Sequence, residues 1–207
     1  MGHPRPCGLC RAALSCDRVL KGLLVQISRL HGLLGSGRGI HASAGAWEQL
    51  EGELGVVLPG DYKQVVDGYG PVQLNGHLFL SHPATRSWNL GAWMKSTVDA
   101  FSASDLSDAR CPGFPHGPVF GAPAGLIPLV DTDRGEYAFG VVDEADGTWR
   151  ILACNGDEQD FYEYRMPFAE WLYRYLAGED MFGLGSAVFY PGPVVFESMP
   201  MAAGDEP

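Results

Sequence analysis

Apolar side chains recur at helical spacing from near the end of the first quarter of the chain. Trp47, Leu50 and Leu54 stand at i, i+3 and i+7, one face of a helix that stops at Gly55. The pattern restarts at once: Pro59 suits a first helical turn, and Tyr62, Val65, Val66 and Tyr69 form a second stripe. The period then changes. Val72 to Leu74 and Leu78 to Leu80 flank Asn75-Gly76, a pair that readily takes the positive φ angles of a type I′ turn, so a hairpin is predicted. Asn89 to Phe101 predicts a third helix that buries Leu90, Trp93, Met94, Thr97 and Phe101. Ser104 to Ala124 carries Pro112, Pro115, Pro118 and Pro123 and reads as a long loop, whose length makes it a candidate interaction loop.

From Leu126 the alternation is that of strands. Leu126 to Val130, Glu136 to Val142 and Trp149 to Cys154 are separated by Asp131 to Gly135 and by Asp143 to Gly147, both turn compositions, which predicts an antiparallel meander. A short strand over Phe161 to Tyr164 follows. Phe168, Trp171, Leu172, Tyr175 and Leu176 then mark a closing helix that ends at Gly178. The Pro- and Gly-rich remainder is expected along the surface. Helices first, a meander next and a helix to close make an α+β plan, with helices packed on one face of the sheet. Trp47, Trp93, Trp149 and Trp171 fall on predicted core faces; Trp88, beside Arg86-Ser87 and just before a helix, is the one expected at a partner interface.

The order of these residues resembles the SUKH superfamily, which includes yeast cell-wall regulators and bacterial immunity proteins. The opening motif is carried by Trp47, Leu50-Glu51, Leu54-Gly55, Leu58-Pro59, Tyr62-Lys63 and Tyr69-Gly70. His82-Pro83, Asn89-Leu90, Gly125 to Pro128, Thr132 to Glu136, Trp149 to Leu152, Asn155, Phe168 and Trp171-Leu172 stand where actinobacterial members carry similar residues. The likeness spans Ala46 to Pro193. One departure is Asp133-Arg134-Gly135-Glu136, in place of an Asn-Gly-Asp-like turn. The resemblance implies a single α+β domain that acts as a non-catalytic binding module, commonly an immunity protein that neutralises a toxin. An intracellular regulatory scaffold of the same fold is the alternative.

Composition divides the chain. It has 207 residues, with 14 basic against 25 acidic side chains and a net charge of −11. Residues 1–44 hold Arg5, Arg11, Arg18, Lys21, Arg29 and Arg38 against Asp17, a net +5, which leaves −16 for the rest. Three units are therefore expected: a basic extension over 1–44, disordered or outside the native product; a domain over 45–193; and a tail over 194–207. Cys16 to Leu34 has a helical stripe, whereas Gly35 to Gly39 and Ser43 to Gly45 read as linker. The acidic excess argues against nucleic acid and against anionic membrane surfaces, because both bind through cations. No leader or membrane-length apolar run stands out, and sparse, odd-numbered cysteines point to a reducing, cytoplasmic compartment.

Charge also locates a candidate surface. From Asp131 to Glu163 there are ten acids and two bases, and many of the acids fall in turns. The residues expected to bind a partner are Asp131, Asp133, Glu136, Asp143, Glu144, Asp146, Asp157, Glu158 and Asp160, with Trp88. Such a surface suits a basic toxin domain, for example a nuclease groove, and steers its approach. Solvated turns alone would produce the same run. Other chemistry fits less well. Cys7-Gly8-Leu9-Cys10 has the spacing of half a zinc site, but Cys16, His3, His31 and His41 do not complete the set at regular intervals. Asp131 to Glu136 fails the calcium-loop pattern, with Val142 where the bidentate glutamate belongs. Cys111, His116 and Asp108 form a remote hydrolase alternative within one Pro-rich loop. No cofactor, metal or catalytic residue is expected.

Overall fold

The computed structural model describes residues 26–121, 123–143, 147–155, 160–187 and 193–205. Cys7, Cys10 and Cys16, the helical stripe before residue 26, and the acids Glu144, Asp146, Asp157 and Glu158 lie outside the described residues. Residues 26–34 are helical (α1). They are followed by α2 (Ala44–Leu54), α3 (Gly60–Tyr69), the hairpin β1 (Val72–Leu74) and β2 (Leu78–Leu80), and α4 (Leu90–Ser102). The meander β3 (Ile127–Thr132), β4 (Tyr137–Val142), β5 (Trp149–Cys154) and β6 (Phe161–Tyr164) leads to α5 (Phe168–Leu176) and a short β7 (Phe196–Glu197).

Local chemistry sets the ends of these elements. The Ser43 hydroxyl accepts from the Ala46 N–H, and Gly55 turns left-handed at φ 70°, so α2 stops where its apolar stripe does. Glu51 then carries the chain into the next helix: its carboxylate accepts from the Leu58 N–H at 2.9 Å and from Lys63 Nζ at 2.7 Å. Asn75 and Gly76 take φ 52° and 65°, as the hairpin reading requires. Asn89 caps α4 by accepting from the Ala92 N–H, and its amide donates back to the Pro83 and Thr85 carbonyls.

The strands form one sheet in the order β6-β5-β4-β3-β2-β1-β7, and every pairing is antiparallel. The α+β architecture read from the sequence is the one observed. Both sheet faces are covered, however. Alternate residues Ala138, Ile151 and Ala153 join the helices in one cluster with Leu50, Tyr62, Val65, Phe168 and Trp171. The intervening Phe139, Val141, Leu152 and Cys154 face a second cluster, built with Phe101, Leu106, Ala109, Cys111, Phe114 and Phe120. Thus the long loop is largely a second core wall, because its apolar side chains have a sheet face to cover. Its prolines had masked that pattern.

Both chain ends also pack more than their composition implies. Leu30 and Leu34 of the basic arm are buried in the main cluster. The stretch read as linker at 35–39 is docked on α3: the Arg38 N–H donates to the Gly68 carbonyl at 2.9 Å, and a Cβ at Gly37 would lie 2.7 Å from Gly68 backbone. That close approach requires glycine. Past α5, Met181, Phe182 and Met199 are buried, and β7 runs along the surface as expected, its two exposed residues paired with β1.

Helix α5 begins at a proline, with no side-chain cap of its own. Buried Asp61 of α3 supplies one across the core, its carboxylate accepting from the Ala169 N–H at 2.9 Å. Burial raises its pKa, against the pull of that hydrogen bond and its neighbours. Two outcomes are expected in urea unfolding. Asp61→Ala lowers stability by about 1–3 kcal/mol, because it leaves a buried N–H unmatched. Leu30→Ala costs about 2–4 kcal/mol if the arm is part of the domain, and nothing measurable if it is dispensable.

Candidate functional site

The residues that carry the sequence signature converge on structural bonds. Asp67 of α3 accepts from Trp47 Nε1 at 2.8 Å and lies 3.2 Å from Nε2 of the fully buried His82. His82 Nδ1 accepts from the Ala84 N–H, so the ring proton belongs on Nε2, facing Asp67. Burial, the largest influence, lowers the His82 pKa and keeps the ring neutral, although Asp67 acts the other way. The Tyr62 hydroxyl donates to the Leu129 carbonyl. These groups lock the helix pair to the sheet and the 82–89 turn. Asp67 does not stand out in sequence; only the convergence of Trp47 and His82 upon it shows its role.

The acidic turns do not form one surface. In an up-and-down meander the β3–β4 and β5–β6 connections share one end of the sheet, and the β4–β5 connection lies at the other. At the first end Asp133 pairs with Nδ1 of His77, while Asp160 is bound by the guanidinium of Arg110 from the long loop, with Nε–Oδ1 at 3.1 Å. At the opposite end Asp143 pairs with Arg165 at 3.1 Å, and the same guanidinium reaches Glu163. Glu163 also accepts from Arg150 at 2.7 Å. Two of these cations, Arg110 and Arg165, lie outside the sequence window whose charge was counted, so the exposed charge is smaller than that count. Exposed ion pairs of this kind add little stability.

Two of the expected surface acids point inward. Glu136 is only 1% exposed; it accepts from the Thr132 hydroxyl at 3.0 Å and lies 3.4 Å from His77 Nε2. Its expectation as a presented charge is therefore corrected: this carboxylate closes the β3–β4 turn. Asp131 lies under α4 and accepts from Trp93 Nε1 at 3.3 Å. Burial raises its pKa to about 6, partly offset by the Trp93 bond.

Trp88 is 40% exposed, and the chain itself covers much of the rest. Its ring stacks on Phe79 at an interplanar angle of 4°, and Nε1 donates to the Pro200 carbonyl at 3.0 Å. The hydrolase candidates are not assembled. Cys111 is buried with its thiol pKa raised to about 12 by burial, His116 is exposed, and among the described residues no hydrogen bond joins the two. A protonated thiol is a poor nucleophile.

Asp131 gives a measurable pH signature. Its folded pKa lies above the ordinary 3.8, so the folded state holds the proton more tightly; that stability is complete below about pH 4 and lost as pH rises through about 6. The Asp131 carboxyl carbon is expected to titrate near pH 6 by NMR. Asp131→Asn should match the parent near pH 4 and exceed its stability at pH 8 by about 1–2 kcal/mol. A normal carboxylate titration would refute the assignment.

Among the described residues no helix is long and apolar enough to cross a membrane. Comparison with known families places the signature in context. Residues 44–172, more than half of the chain, match the SUKH_6 family, described as SMI1-KNR4 cell-wall. No curated protein and no solved structure matches the chain. The match covers the helix pair, the hairpin, the whole meander and the start of α5, whose internal bonds are those that the signature residues make. This chain belongs to the SUKH (SMI1-KNR4) family.

Proposed function

We propose that this protein is a non-catalytic binding module of the immunity type, which neutralises a cognate toxin by covering a basic surface on it. The observation that carries the reading is family membership combined with a domain whose acids are concentrated in the turns of its meander. An acidic surface steers a cationic groove toward it and speeds encounter at low salt. The contact acids are Asp133 and Asp160 at one end of the sheet and Asp143 at the other, together with Glu144, Asp146, Asp157 and Glu158, which lie outside the described residues. Asp131 and Glu136 serve the scaffold. Asp160 and Asp143 already hold internal cations, so a toxin's lysines and arginines compete with Arg110 and Arg165 for them. A cytoplasmic setting follows from this role.

A second reading has a specific support: the family description names the cell wall rather than a toxin, and a regulatory scaffold would bind endogenous partners with the same fold. Pull-down from the native host, followed by affinity measurement on the purified partner, separates the two. Under the immunity reading the partner is a toxin domain, and Lys substitution of Asp143, Glu144 and Asp146, or of Asp157, Glu158 and Asp160, weakens binding at least tenfold while a salt series flattens. Unchanged affinity in both triple variants would sink the electrostatic contact. A non-toxic partner would favour the scaffold.

A further inference from the structure

The C-terminal segment sits on the domain like a bound peptide. It enters beside the hairpin, where the Asn75 N–H donates to the Val195 carbonyl at 2.8 Å and the Val195 N–H donates to the Asn75 side chain at 2.7 Å. Two residues then pair with β1, Phe196 opposite Leu74 and Glu197 opposite Gln73. The segment leaves through a second anchor. The Ala202 N–H donates to the Ser87 hydroxyl, and the carboxylate of Asp205 accepts from the Arg86 and Ser87 N–H groups at 2.7–3.0 Å. Asp205 is 7% exposed.

Between its anchors the segment fits loosely. Phe196 stacks on Tyr69 with ring centroids 5.9 Å apart, yet it remains 41% exposed, and Val195 is 55% exposed. A cavity of about 330 Å³ opens beside them, bordered by Arg38, Tyr69, Pro71 and Ser198. Only Met199 is deeply buried in this stretch. Trp88 meanwhile takes φ 55°, a left-handed conformation that is strained for a bulky side chain, and one of its holds is the Pro200 carbonyl.

Each receptor feature is a general device for holding peptides. A free sheet edge takes an extended strand through main-chain bonds, and consecutive backbone N–H groups form a nest for a carboxylate. Both features, at β1 and at Arg86-Ser87, lie inside the family-matched region, whereas the segment that fills them lies beyond it. We propose that the β1 edge and the Arg86-Ser87 turn form a peptide-binding site, which residues 193–205 fill in the free protein. Its ligand in trans is an extended protein segment with an aromatic side chain for Tyr69 and, farther along, a carboxylate for the two amides. The tethered segment competes at an effective concentration of order millimolar, so it sets a threshold that a partner must exceed. This site is separate from the acidic turns and stands or falls without them.

The test uses full-length protein and a fluorescein-labelled synthetic peptide of residues 193–205, followed by anisotropy. Asp205→Lys in the protein places a cation against the nest and releases the tail. It is expected to bind the peptide at least tenfold more tightly than the parent does, and a peptide carrying Asp205→Asn should lose at least tenfold. Hydrogen exchange at the Asn75 amide should quicken in the variant and slow again on adding peptide. Phe196→Ser, which loosens the other half of the tail, should give a gain in the same direction. Thermal unfolding confirms that each variant is folded. Equal binding to parent and variants, no binding to any of them, or indifference to the peptide's carboxylate would overturn the proposal.

Discussion

The closing helix depends on a carboxylate that is 108 residues away in sequence: Asp61 supplies the acceptor that Pro167 cannot, and the Ala169 N–H takes it inside the core. The rest of the main core is arranged around this bond. Tyr62, the next residue, meets Phe168 edge-on at 4.9 Å, Phe168 stacks with Trp171, and Trp171 stacks with Tyr175. A buried carboxylate is tolerated only where its acceptor capacity is used. The bond therefore fixes how α3 and α5 meet, and through the Tyr62 hydroxyl it fixes both against β3.

This arrangement changes the meaning of the family signature. Trp47 and His82 both serve Asp67, Glu51 joins Leu58 to Lys63, and Asn89 caps α4 while holding the turn before it. These bonds hold one helix, turn or strand of the scaffold to the next. The turns and edges around it carry fewer such bonds, and a change of residue there costs little stability.

Charge followed the same logic. Counted along the chain, the meander holds a large acidic excess, but Arg110 approaches from the long loop and Arg165 from beyond β6, and each neutralises part of it. Asp131 meets α4 because strand alternation places it there, and Glu136 turns back from the β3–β4 turn onto Thr132 and His77. The described acids of the turns, Asp133 and Asp160 against Asp143, are divided between two ends of one sheet. A window count cannot show this, since it knows neither the direction of a side chain nor the distant residue that meets it.

The sequence by itself determined the helices α2, α3, α4 and α5, the Asn75-Gly76 hairpin, the meander and the family, because each is written in local period, in caps and in turn residues. Those are short-range terms, readable within a few residues. Tertiary structure alone decided that the Pro-rich loop walls a second core, that Leu30 of the basic arm is interior, and that the tail returns to extend the sheet. It also chose which acids face water. These outcomes depend on contacts between residues far apart in the chain, where burial of apolar surface and satisfaction of buried polar groups outweigh local composition.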